Sequence, residues 1–167
     1  MTVNVELFSL TYGSLVRSIV AETNNISDAN NKLSKIGVNI GNRITDEFVV
    51  HADKCRFKSL KEACDMLADY SFKTYLGINA VVKEPSETRC VISFSDNPIT
   101  RYVILPPEYQ GLIYLNPLLS AIKTSLGLLH YNVEVNLISD MLHGKQSNDI
   151  EIKLIEIMDD LPPGEYI

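Results

Sequence analysis

The chain has 167 residues and a formal net charge of −6, with 46% hydrophobic and 22% charged residues. That length suits one domain around one core, and the charged share is too low for a disordered tail protein. The acidic balance excludes the broad basic footprint of a nucleic-acid binder, so any basic patch has to be local.

The first half reads as helices. Phe8, Tyr12, Leu15, Val16 and Ile19 recur at three- and four-residue steps, which puts them on one helical face. Asn24-Asn25 breaks the pattern, and Ser27 or Asp28 is expected to cap a second helix. Leu33, Ile36, Ile40, Ile44 and Phe48 form its apolar stripe. Gly37 and Gly41 fall on that stripe, where each costs about 1 kcal/mol of helix stability against alanine. Such a cost makes sense where another backbone packs closely; a phosphate loop would need its glycines at a strand-to-helix turn. Ser59 followed by Glu62 is a capping box that opens a third helix. Its expected buried face is Leu60, Ala63, Cys64, Leu67, Ser71 and Tyr75, and Gly77 ends it.

The second half turns to strands. Ile78–Val82 and Cys90–Phe94 are candidate strands, joined by a polar turn around Pro85-Ser86. Asn97-Pro98 and Pro106-Pro107 mark loops. Asn116, with Pro117 behind it, is the expected N-cap of a fourth helix whose apolar face is Leu118, Leu119, Ile122, Leu126 and Leu129. Tyr131, Val133, Val135 and Leu137 then alternate with polar residues, as do Ile150, Ile152 and Leu154 after the loop at Gly144. Residues 159–167 form an extended tail with Pro162-Pro163-Gly164. The expectation is a single α+β domain over residues 1–167: about four helices layered on one face of a twisted, mainly antiparallel four-stranded sheet.

Chemistry is sparse. Cys55, Cys64 and Cys90 fit neither a disulfide framework nor a C-x-x-C zinc site, and reduced thiols suit a cytoplasmic compartment. His51, His130 and His143 show no metal spacing, so no metal is expected. His51 and Cys55 are four apart, but a Cys–His dyad also needs an oxyanion hole and an orienting group, and no segment supplies them. No apolar run reaches the roughly 20 residues of a membrane span. Met1–Glu6 lacks a signal-peptide layout, and Thr2 stands where myristoylation needs glycine. Cys55 stands between Lys54 and Arg56, with Lys58 nearby, and neighbouring cations favour a thiolate. Cys64 and Cys90 lie on apolar faces, as small core residues do.

Five segments carry a resemblance: Glu6–Val16 (ELFSLTYGSLV), Asn39–Phe48 (NIGNRITDEF), Phe72–Gly77 (FKTYLG), Leu112–Asn116 (LIYLN) and Leu161–Glu165 (LPPGE). In that order they resemble the component three family of the transport protein particle (TRAPP), the acylated small core subunit of a vesicle-tethering complex. The resemblance implies a non-catalytic subunit, cytoplasmic and peripheral at the cis-Golgi and endoplasmic reticulum, serving ER-to-Golgi traffic. It implies sibling TRAPP small subunits as partners through the N-terminal helices, or a homodimer when isolated. Phe8, Tyr12, Gly37, Ile40 and Gly41 are the expected dimer or helix-packing residues.

It further implies support of nucleotide exchange on a Rab-family GTPase within the assembled complex, with Pro162, Pro163, Gly164 and Glu165 as the contact. Finally it implies a fatty acyl chain, typically palmitoyl, on the cysteine before the third helix, here Cys55. That chain would be buried in a tunnel lined by Ala63, Cys64, Leu67, Ala68, Ser71, Leu119 and Ile122. Burial of about fifteen methylenes is worth roughly 0.8 kcal/mol each. Membrane contact would need a basic face near Arg17, Lys32, Lys35, Lys54, Arg56 and Lys58. The alternative is a hydrophobic small-ligand-binding or sensor domain of similar fold, in which the thiol is incidental; a Cys–His hydrolase is a third reading.

Overall fold

The structure, a computed structural model, describes residues 4–52 and 57–158. Cys55 and the whole tail, Pro162 to Glu165 included, lie outside the described residues. Helix α1 spans Val5–Glu22, and α2 spans Ile26–Ala52. Both begin on an asparagine. Asn4 Oδ1 accepts from the N–H groups of Glu6 and Leu7, at 2.8 and 3.2 Å. Asn25 Oδ1 accepts from Asp28 N–H at 2.8 Å, while its Nδ2 donates to the Asp28 carboxylate at 2.9 Å. The cap of α2 is therefore Asn25, not Ser27 or Asp28: its amide reaches both a free backbone N–H and a first-turn carboxylate.

Helix α3, Leu60–Met66, starts as the sequence implies: Ser59 Oγ accepts from Glu62 N–H at 3.2 Å, and the Glu62 carboxylate accepts from Lys58 N–H at 2.8 Å. It continues as a π-helical segment, Leu67–Leu76, closed by Gly77 at φ +69. The wider π turn rotates the later residues, so Phe72 is buried where the regular spacing points to Tyr75, which is half exposed.

Strand β1 is only Val81–Lys83; Ile78 and Ala80 are buried but precede it, a shorter and later strand than the expected Ile78–Val82. Strand β2 is Arg89–Phe94. Helix α4, Asn116–Leu128, has Leu115 at its N-cap position with no side-chain bond. Asn116 is not the cap, because its Nδ2 donates to the carbonyl of Asn30 on α2 at 2.7 Å. Strands β3, Tyr131–Ser139, and β4, Asn148–Ile157, complete the chain.

The sheet is antiparallel throughout, in the order β1-β2-β4-β3. Its register places Cys90, Ile152 and Val135 in one row, and Ile92, Ile150 and Leu137 in the next. This face meets α3 and α4, and its central residues are fully buried. The opposite face of β2 and β4 carries an ion network: Arg89 Nε donates to Glu151 at 2.7 Å, and Lys153 lies 3.0 Å from the same carboxylate. Four helices layered on one face of a four-stranded antiparallel sheet is the architecture expected from the periodicity.

Candidate functional site

Between the helices lies a cavity of about 360 Å³. Helix α1 contributes Phe8, Tyr12 and Leu15, and α2 contributes Ile36, Ile40 and Ile44. The π segment supplies Leu67, Ser71, Phe72, Tyr75 and Leu76. The floor is the start of α4, from Leu115 through Ala121 to Ser125, together with Ile99 of the loop after β2. Among the described residues, no charged side chain lines the cavity.

The void exists because α2 is pinned to α4 on the neighbouring face. A Cβ at Gly37 would stand 2.3 Å from the Pro117 carbonyl oxygen, and one at Gly41 2.8 Å from that of Ala121. The two backbones approach so closely that only glycine fits. The isoleucines one position away on α2, Ile36 and Ile40, line the cavity beside this crossing.

Of its few polar atoms, the Tyr75 hydroxyl is buried without a hydrogen-bond partner among the described residues, while others are bonded. The Tyr12 hydroxyl donates to the Tyr114 carbonyl at 2.7 Å, and the two rings meet edge to face at 5.1 Å. Burial, then the Tyr114 phenol beside it, holds the Tyr12 phenol well above its ordinary value. Burial pushes the Tyr114 phenol to about 12, and burial followed by the Glu47 carboxylate does the same to Tyr75. The Thr45 hydroxyl donates to the Gly41 carbonyl at 2.6 Å and lies 3.0 Å from Ser125 Oγ. A cavity with mostly apolar walls suits an alkyl chain; its size falls at the lower end of small-molecule sites.

Leu67, Ser71 and Ile122 border this cavity, whereas Ala63, Cys64, Ala68 and Leu119 do not. Ala63 and Cys64 are fully buried where α3 meets β2: small side chains there bring helix and strand together and leave no void. Cys64 sits beside Cys90, and their hydrogen bond, then burial, pushes the Cys64 thiol far above its ordinary value. Gly37 and Gly41 face α4 of the same chain, while Phe8, Tyr12 and Ile40 stand on the cavity wall.

Sequence reasoning missed Asn30, whose side chain donates to the Gly111 carbonyl and accepts from Ile113 N–H, each at 2.9 Å, and so fixes the loop that leads into α4. A polar residue beside a buried stripe gives no sign of a partner 81 residues away. Among the described residues no group of three or more metal-ligating side chains occurs, and no helix is long and apolar enough to cross a membrane.

Residues 8–153 match the family model of the transport protein particle (TRAPP) component. The chain belongs to the TRAPP component family. It is 31% identical over 167 residues to trafficking protein particle complex subunit 3 of Dictyostelium discoideum, covering 98% of this chain and 90% of that protein. It is 32% identical to the transport protein particle subunit bet3 of Schizosaccharomyces pombe, covering 98% and 91%. Among solved structures, subunit 3 of the trafficking protein particle complex from Naegleria fowleri, covalently bound to palmitic acid, superposes with a TM-score of 0.85. The two are 30% identical, over 94% of this chain and 98% of that one. TRAPP membership makes this chain a trafficking-complex subunit that assembles with other subunits.

Proposed function

We propose that this TRAPP subunit is a non-catalytic core component of a vesicle-tethering particle, and that its cavity holds a palmitoyl-like chain carried as a thioester on Cys55. The apolar cavity under α1 and α2 carries this reading. Helix α2 ends at Ala52, eight residues beyond the cavity-lining Ile44, or about 12 Å along the axis. Cys55 follows three residues later. Each buried methylene would contribute roughly 0.8 kcal/mol, and the relative from Naegleria fowleri carries palmitic acid covalently.

Around that centre the proposal has wider parts. Sibling small subunits pair through the α1–α2 face. Residues Pro162 to Glu165 reach a Rab-family GTPase, whose nucleotide exchange the assembled complex supports. The particle works in ER-to-Golgi traffic, peripheral at the cis-Golgi and endoplasmic reticulum membranes.

Intact-mass spectrometry of the chain from a eukaryotic host tests the acyl reading. One palmitoyl increment is expected, removed by neutral hydroxylamine and missing from Cys55→Ser. An unmodified mass with no extractable fatty acid would sink it. A second reading has one observation in its favour: the described lining residues are mostly apolar, which suits a free apolar molecule as well as a tethered chain. An unmodified chain that yields a free apolar molecule on extraction would support a small-ligand domain instead.

A further inference from the structure

The cavity wall is graded. Its floor, including Leu67, Leu115 and Ile122, is buried, but its rim is not: Phe8, Leu15 and Ile40 are 39%, 42% and 42% exposed. The apolar surface does not stop at that rim. Around α1 it runs on through Leu7 and Leu10, at 62% and 64% exposure, with the uncharged Thr11 and Ser14 beside them. From Val5 to Leu15 the only charged residue is Glu6. A contiguous, uncharged apolar face of this kind has the composition of an interface centre rather than of ordinary surface. An anionic membrane would require Lys and Arg there, and the stretch holds none. The occupant that fits is an apolar helical face of another subunit.

Helix α1 carries both surfaces. Its C-terminal half is anchored by the buried Val16 and Ile19. Its N-terminal half is tied by two hydroxyls, Ser9 donating to the Pro98 carbonyl and Tyr12 to that of Tyr114. Between those ties, Phe8, Tyr12 and Leu15 look onto the void. A filled cavity supplies the packing that this half of the helix lacks when the cavity is empty.

We infer that occupancy of the cavity and docking of a sibling subunit on α1 are linked: an apolar chain inside orders α1, and the ordered α1 presents the docking face. This rests on the acyl reading of the cavity. A ligand that stiffens a helix lowers the ordering cost for whatever binds next on that helix. Linkage makes the effect mutual, typically 5- to 150-fold.

The test uses the acylated chain and the same preparation after neutral hydroxylamine, each titrated with the small family subunit that copurifies with it. The acylated chain is expected to bind at least fivefold more tightly. Amide exchange across Phe8–Leu15 should be slower in the free acylated chain than in the free deacylated one. Leu10→Glu, at a site outside the cavity wall, should weaken sibling binding at least tenfold. Equal sibling affinity within twofold for the two acylation states overturns the linkage and leaves the acyl reading standing. Unchanged sibling binding by Leu10→Glu overturns the docking face. A chain that is never acylated overturns both the linkage and the reading beneath it.

Discussion

Two regions of this subunit use small residues and apolar surface in opposite ways. Where α2 crosses α4, and where α3 lies on β2, Gly37, Gly41, Ala63 and Cys64 bring backbones together and leave no space. Where α1, α2, the π segment and α4 enclose the cavity, the walls are mostly large side chains, Phe8, Tyr12, Ile36, Ile40, Ile44 and Phe72 among them. The contrast reverses an intuition. Small residues do not make this void; they close the contacts beside it, and bulky side chains held apart by those contacts span the gap. Close packing on one face of α2 leaves the adjacent face unfilled.

The largest way to break this arrangement is at the crossing. Gly37→Ala places a methyl 2.3 Å from the Pro117 carbonyl oxygen and 2.7 Å from Ser120 Cβ. Overpacking against backbone costs up to about 3 kcal/mol, offset by about 1 kcal/mol of helix propensity. A net loss of about 2 kcal/mol is expected by urea unfolding. Gly127→Ala, with nothing within 4 Å of the added methyl, should be neutral or stabilise by up to about 1 kcal/mol. Equal effects at the two glycines would mean that α2 and α4 are not locked together and that the cavity has another origin.

Much of this was legible from spacing alone. The stripes on α1, α2 and α4 and the alternation in β3 and β4 fix which faces are buried, and the capping box at Ser59 fixes where α3 begins. What spacing does not carry is long-range geometry. The π turn keeps apolar residues at helical intervals, so nothing in the sequence distinguishes Phe72 from Tyr75. Asn30 and Asn116 look like solvent-facing or capping residues until the fold brings α2 beside the loop before α4. A void has no sequence signature either: a wall of isoleucines reads as core. That is why spacing points to Ala63 and Cys64 as tunnel walls, whereas Ile36 and Ile44 line the cavity.

A smaller effect is expected at the tie holding α1 over the cavity. Tyr12→Phe removes the hydrogen bond to the Tyr114 carbonyl and should cost about 1 kcal/mol at neutral pH. The pH dependence tests the assignment. The Tyr12 phenol is held above its ordinary value in the folded chain, so the folded state binds this proton more tightly than the unfolded one. Its contribution is fully present below the unfolded value of about 10 and is lost as pH rises beyond it. Denaturant melts from pH 8 to 11 should show wild type losing stability faster than Tyr12→Phe above pH 10. Parallel curves would place the tyrosine in a wetter site and detach it from the cavity wall.

The smallest change in stability is expected inside the cavity, and there the two regions separate most sharply. Ser71→Leu adds bulk at a wall position of the cavity of about 360 Å³. The larger side chain has room, so stability should shift by less than about 1 kcal/mol, whereas Ala63→Leu, in the filled contact of α3 with β2, should lose about 2 kcal/mol by overpacking. The leucine would nonetheless occupy the space that the acyl reading assigns to a ligand. Intact-mass spectrometry of Ser71→Leu should show the acylated fraction falling well below that of wild type while the melting curve barely moves. Full acylation of this variant would mean that the chain threads elsewhere. A melting loss as large as that of Ala63→Leu would mean that Ser71 belongs to packed core, and that the boundary between the two regions runs on the other side of the π segment.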